Sequence, residues 1–245
     1  MVEPTSPVQS GWNQPTKYER WYASSLGRIY AASLERVLRP WLSNMAGSLG
    51  LDIGCGPGLA IERLCSSDLE IIGMDCSLEM AQRALARSQK MGRSDQFVVG
   101  SVEKIPFADE TFDVALCVNC LEFVESRSMA FAEIARILRP SGHAVVGVLN
   151  QRSVWELTRR IRRPFSKHSY YRGKFFSKDS LRACCTEVEL VVDEMKSAVH
   201  FPPIPPGPLS SIYDRFDRSS QKRLRRGGAV ILCHATKPDP GYAKT

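Results

Sequence analysis

The stretch "LDIGCGPGLAIERL", residues 51–64, carries the fold. Leu51 and Ile53 flank Asp52 in an apolar run of strand character. Gly54, Gly56 and Gly58 then alternate with Cys55 and Pro57, and Leu59, Ile61 and Leu64 recur at helical spacing. Strand, glycine-rich turn and helix in immediate succession leave N–H groups exposed at a helix start. They also let a ligand approach the backbone where side chains are missing. Several kinds of nucleotide site are built this way, so this stretch predicts a ligand turn without naming the ligand.

Working outward, the same alternation continues. "LEIIGMDCS" predicts a strand ending at Asp75, "LEMAQRALARSQ" a helix, "QFVVGS" a third strand and "FDVALCVNC" a fourth. "SMAFAEIARILRP" predicts a helix stopped by Pro140, and "GHAVVGVLN" a fifth strand. "RSVWELTRRIRRPF" and "SKDSLRACC", the latter capped by Ser177, predict helices, and "EVELVVDEM" a sixth strand. The stiff "FPPIPPGP" loop precedes a helix over 210–224, and "GGAVILCHATK" closes as strand seven. Upstream, residues 18–42 show one helical period, with Pro40 near its end. Strands that are apolar on both faces and alternate with helices mean an α/β, Rossmann-like, doubly wound sheet. Seven mostly parallel strands with helices on both faces are expected; that the last runs antiparallel is implied only by the resemblance given below.

Bulk composition is compatible with this. The chain has 245 residues, 43% hydrophobic and 24% charged, which suits one domain with a sizeable core. No run of about 18 apolar residues is present, and the start lacks the pattern of a secretory signal. Residues 1–16 read as a disordered lead and 17–245 as a single domain. The eight cysteines are not spaced as a disulfide framework, which suits a reducing cytoplasm. Charge is uneven: residues 1–150 carry 14 Lys and Arg against 17 Asp and Glu, a net −3, and residues 151–245 carry +10.

An acidic residue at the end of strand two can take both hydroxyls of a ribose. Asp75 stands there, 17 positions past Gly58. A dinucleotide site would show G-x-G-x-x-G. Here the spacing is G-x-G-x-G, with Asp52 inside the strand. That carboxylate is unwelcome near a pyrophosphate and welcome near a cationic amino-acid moiety. The spacing therefore favours S-adenosylmethionine over a nicotinamide dinucleotide.

Together, "LDIGCGPG", "IIGMDCSLEM", "VVGSVEKIPFADETFDVALCVNCLEFV" and "EIARILRPSGHAVVGVLN" resemble the class I S-adenosylmethionine-dependent methyltransferases. More narrowly they are similar to the small single-domain group that includes the quinone-biosynthesis methyltransferases. The resemblance covers about residues 18–150 and extends weakly to 185. It implies that Gly54, Cys55 and Gly56 face the methionine part of the cofactor and that Asp75 binds the ribose. It also implies that Cys76 and Met80 flank the adenine, and that Ser101 and the Val102 N–H meet its edge. Asn119 would offer its carbonyl to the cofactor's amino group, while Tyr18, Trp21 and Arg28 would close over the carboxylate. Position 101 departs from the family, which usually has an acidic residue there, so a weaker hold on the adenine is expected.

The implied reaction is in-line methyl transfer to a small-molecule or lipid-like, possibly acidic acceptor. It needs positioning more than covalent chemistry, so no catalytic residue is assigned. His168, Tyr170, Tyr171 and His200 are candidate bases in the variable segments, and Glu122 stands just beyond strand four as a residue that could touch the acceptor or simply be solvated. No metal site is expected. Cys117 and Cys120 lack a second pair, and His143, His168, His200 and His234 lack ligand spacing. The links at about 151–177 and 196–226 leave the cofactor rim and hold most of the excess positive charge, interleaved with Trp155, Phe165, Phe175 and Phe201. They read as a cover for the acceptor, a contact with an anionic membrane, or a solvated face. No base-reading motif is present, which makes nucleic acid the weaker partner. Two alternatives remain at this level: a binding protein that has kept the fold without turnover, and a nicotinamide-dependent oxidoreductase.

Overall fold

The computed structural model describes residues 14–45, 47–64, 69–165, 173–223 and 227–242. In chain order the elements are α1 (Pro15–Ala23), α2 (Ser25–Leu42), β1 (Leu49–Ile53), α3 (Leu59–Leu64), β2 (Glu70–Asp75), α4 (Leu78–Lys90) and β3 (Gln96–Val99). They continue as β4 (Phe112–Val118), α5 (Arg127–Ile137), β5 (Leu138–Leu149), α6 (Val154–Arg162), α7 (Lys178–Glu187), β6 (Val191–Ala198), α8 (Ser210–Arg223) and β7 (Val230–Thr236). One seven-stranded sheet runs in the order β3-β2-β1-β4-β5-β7-β6. Strands β1 to β5 pair in parallel, and β7 lies antiparallel between β5 and β6. The chain winds outward from β1 in one direction, then restarts at β4 in the other. The crevice between the carboxyl ends of β1 and β4 is therefore the switch point where such sheets bind ligands.

The core lies on both faces of the sheet, which is why the central strands read as apolar runs. Leu51, Ile53, Ala115, Cys117, Val146 and Val148 pack on one side, and Val114, Leu116 and Val145 on the other beneath α2 and its Trp41.

Three boundaries differ from the sequence reading. The helix expected over 18–42 is two helices, because Ser24 is extended (ψ 162°) and its hydroxyl caps α2 by accepting from the Gly27 N–H at 3.1 Å. Pro15 and Thr16, placed in the disordered lead, open α1, with proline in the first turn where its missing N–H costs nothing. Helix α5 ends at Ile137, three residues before Pro140. Leu138 turns extended, and β5 runs through the proline to Leu149, with only Leu138 of that first segment paired to β4. Among the described residues no helix is long and apolar enough to cross a membrane.

Candidate cofactor and acceptor site

The glycine turn is positioned by β2. The N–H groups of Gly54 and Cys55 both donate to the Met74 carbonyl, at 2.7 and 3.0 Å. This forces φ of +73° at Gly54 and +53° at Gly56, the left-handed region that favours glycine. At Gly54 a Cβ would meet Cys120 Sγ at 2.7 Å. At Gly56 it would have nothing nearer than the Tyr18 ring at 4.0 Å, so a side chain there would fill open space instead of striking the wall. That open space is a cavity of about 500 Å³.

Asp75 stands at its edge with the carboxylate held from behind. The Gly56 N–H donates to Oδ2 and the Ser77 N–H to Oδ1, both at 2.9 Å. A carboxylate oxygen has a second lone pair, so both can still accept from a diol. Burial raises the Asp75 pKa, and those two N–H bonds oppose the shift. Tyr18, Gly54, Gly56, Cys76, Met80, Ser101, Val102 and Asn119 line the same cavity, as does Trp21. Ser101 Oγ already accepts from the Glu103 N–H at 3.2 Å, so its free capacity toward a ligand is reduced.

Asp52 and Cys55 do not line this cavity. Asp52 is 2% exposed and borders a neighbouring space of about 60 Å³ with Gly54, Tyr18, Tyr22, Arg63 and Asn119. Its Oδ2 has no hydrogen-bond partner among the described residues, and burial, with the charge of Asp75 as the lesser cause, pushes its pKa up to about 7. Cys55 is buried, with its Sγ turned toward Gly73, so only its backbone belongs to the turn. Arg28 stays outside as well; it is exposed and donates to the Ala23 carbonyl at the break between α1 and α2.

The half of the cavity away from Asp75 is aromatic, and the sequence reading missed most of it. Trp21 meets Tyr22 and Tyr30 edge-on at 4.8 and 5.2 Å, and Tyr30 meets Trp155 at 5.6 Å. Phe123, Val118 and Leu149 complete the wall, and Lys17, Arg159 and Arg162 supply cations. The available signal was the aromatic density of residues 18–30. Tyr30 Oη donates to Asn119 Oδ1 at 3.2 Å, and Asn119 itself sits at φ +57°. Helix α1 is tied over the site because Glu19 accepts from Arg83 and Arg87 of α4 at 2.8 and 2.6 Å; these bonds hold the Glu19 carboxyl below its usual range.

Other candidates fall elsewhere. His200 is not at the cavity; its buried side chain lies 3.2 Å from both Asp217 Oδ1 and Ser197 Oγ, where it braces α8 against β6. Glu122 is neither solvated nor part of the cavity lining. It is 1% exposed, takes the Leu149 N–H, and burial pushes its pKa up to about 7. Trp155, Phe175 and Phe201 belong to the core instead of alternating with exposed charge, and Arg159 is buried against Glu156 and the Phe175 ring. His168, Tyr170 and Tyr171 lie outside the described residues.

Residues 51–146, which include the turn and Asp75, match the family model described as "Methyltransferase domain". The likeness covers that stretch of the chain. A ubiquinone biosynthesis O-methyltransferase of Alkalilimnicola ehrlichii is 27% identical over 189 residues, 75% of this chain and 74% of that one. A malonyl-[acyl-carrier protein] O-methyltransferase of Erwinia billingiae is 28% identical over 131 residues, covering 52% and 51%. The solved structure of an S-adenosylmethionine-dependent methyltransferase from Thermotoga maritima, titled a possible histamine N-methyltransferase, superimposes with a TM-score of 0.69. It covers 94% of this chain and 99% of that one at 23% identity, a likeness of fold. Against the first four curated relatives the chain spans only 28% to 53% of their length. S-adenosylmethionine is the cofactor of this family. The residues present fit it: the Gly56 cradle opens onto the cavity, Asp75 offers two fixed acceptors, and Asp52 holds a buried oxygen with no partner among the described residues.

Proposed function

We propose that the chain transfers a methyl group from S-adenosylmethionine to a small, mainly apolar or lipid-like acceptor held in the aromatic half of the cavity. The observation that carries this reading is the continuity of one cavity from Asp75 and Ser101 to Tyr30, Phe123 and Trp155. In this reading Asp75 holds the ribose, the backbone of Gly54 to Gly56 carries the methionine part, and Ser101 with the Val102 N–H meets the adenine. Asp52 sits close enough to the turn to favour a cationic amino group. When bound, the cofactor supplies a methyl on a sulfonium whose thioether leaves without covalent help. The protein's share is to orient the acceptor and exclude water, for which positioning alone is worth ~7–11 kcal/mol.

The described lining contains no histidine, Asp75 is committed to two N–H groups, and burial holds the Tyr18 and Tyr22 hydroxyls protonated. We infer an acceptor that brings its own lone pair, such as a carboxylate, a phenolate or a neutral amine. Lys17 and Arg162 at the cavity edge suit the anionic forms.

We further propose that this face rests on an anionic membrane. Val154, Leu157 and Ile161 form one exposed stripe on α6 beside Arg160, Arg162 and Arg163; Leu209, Ile212 and Phe216 do the same at α8 beside Arg215 and Arg218. An apolar stripe edged by arginine is how a helix settles into a headgroup layer.

Incubation with methyl-labelled cofactor and cell extract, with products identified by mass, tests the first proposal. Label in a small organic-extractable product is expected. Label that never leaves a cofactor shown by calorimetry to bind supports the binding-protein alternative, and heat with NAD but none with S-adenosylmethionine supports the oxidoreductase. Sedimentation with phosphatidylglycerol against phosphatidylcholine vesicles tests the second; equal recovery with both, or no effect of Ile161→Glu with Phe216→Glu, removes it.

A further inference from the structure

Three side chains far apart in the sequence converge on the face of the sheet covered by α2. In the β5–β7 ladder His143 pairs with Thr236 and Val145 with His234. Paired residues share a face and alternate positions return to it, so both histidines stand on the same side. Their rings stack, with centroids 5.0 Å apart at 30°. The third group comes from the edge strand. Pairing of β6 with β7 slips between Val192, opposite Ala235, and Glu194, opposite His234, so Asp193 is one residue too many. This bulge turns two successive carboxylates to one face, which a regular strand cannot do. Asp193 Oδ2 accepts from Thr236 Oγ1 at 2.6 Å, and Glu194 Oε2 accepts from Trp41 Nε1 at 2.9 Å.

The distances suit shared ligation better than mutual bonding. His234 Nδ1 and Asp193 Oδ2 are 3.6 Å apart, too far for a hydrogen bond. Two donors on one tetrahedral zinc, each at about 2.0–2.2 Å, stand roughly 3.4 Å apart. One ligand atom from each of His143, Asp193 and His234 can be chosen so that all three lie within 4.8 Å of one another. Side-chain rotation of an ångström or so closes that spread, and Asp193 is exposed enough to move. Contacts that would orient these ligands are in place. Thr236 Oγ1 bridges His143 Nδ1, at 3.1 Å, to Asp193, while Trp41 stacks on His234 at 5.6 Å and 22° and walls off one side.

We propose that His143, Asp193 and His234 bind a divalent first-row transition ion of the zinc class, with water in the open position. Two imidazoles and one carboxylate are a borderline donor set that selects such ions over magnesium or calcium. The ion would clip the antiparallel β6–β7 hairpin to β5. His143 begins the regular pairing of β5 with β4, opposite Val114, whereas the ligand crevice lies beyond Val118 at the other end of that ladder. The site is therefore separate from the cofactor cavity, and metal should change stability without changing cofactor affinity.

The test uses the whole chain, stripped with chelator and titrated with Co²⁺ and then Zn²⁺. One equivalent of Co²⁺ with visible d–d absorption and no sulfur-to-cobalt charge transfer is expected. Zn²⁺ at a hundredfold excess over its dissociation constant should raise the Tm by about 5–10 °C. His143→Gln and Asp193→Asn, chosen because neither residue is in the buried core, should each weaken binding by at least about 100-fold, more than loss of a group that only hydrogen-bonds to a ligand. Circular dichroism and unchanged cofactor binding establish that they fold. No saturable binding, a thiolate band from the cysteines, or affinity unchanged in both variants overturns the proposal.

Discussion

Replacing Asp75 by Asn tests whether this carboxylate grips a ribose. Both oxygens accept a backbone N–H at 2.9 Å, one from Gly56 and one from Ser77. An amide keeps one acceptor and turns an NH₂ toward one of those donors, so one charge-assisted bond is lost, and the acceptor facing one sugar hydroxyl is lost with it. Loss of a hydrogen bond to a charged group costs about 1.5–3 kcal/mol, which is roughly 10- to 150-fold in affinity. Stability of the ligand-free protein should move less, because Asp75 is buried and its charge is already penalised by desolvation. The assay is calorimetric titration of S-adenosylhomocysteine and of its 2′-deoxyribose analogue into both proteins. If the carboxylate holds the diol, the substitution penalises the intact ligand several-fold more than the deoxy ligand. Equal penalties, or a dissociation constant within twofold of wild type, would refute the ribose assignment.

Three further expectations follow from single groups. Asp52 is pushed to about 7 by burial, so the folded state holds a proton that the unfolded chain, near ~3.9, has released. Its stability contribution is complete below about pH 4 and lost as pH rises through 7; Asp52→Asn should flatten the fall of Tm across that window by about 3–6 °C per pH unit, and an unchanged slope by calorimetry removes the shift. Gly54→Ala places a Cβ 2.7 Å from Cys120 Sγ at a φ of +73°. About 2–4 kcal/mol of strain and overlap should lower the Tm by roughly 5–15 °C, whereas a drop under about 2 °C would show that the turn relaxes. Ser101→Asp supplies a second strong acceptor beside the Glu103 N–H and should tighten cofactor binding several-fold; calorimetry showing no gain puts the adenine elsewhere.

Much of the cofactor half was legible because it is local. Apolar runs, glycines and Asp75 follow one another within about 25 residues, and each consequence (buried strand, left-handed turn, carboxylate at a strand end) is a property of neighbours in the chain. The strand count follows from the same pattern; the antiparallel direction of the last strand does not, and was expected only from the family resemblance. Amino-acid type also announced the basic second half, with its net +10.

Only the tertiary structure decided which of those charges are free and which histidines meet. Arg159 reads like its neighbours, yet it is buried and paired with Glu156, while Arg162, which lines the same cavity, is exposed. His200 and Asp217 find each other across 17 residues, and His143, Asp193 and His234 across three strands and a one-residue slip in register. Spacing along a chain carries no record of such pairs, because strand order and register are set by how whole faces pack and not by the residues that end up touching.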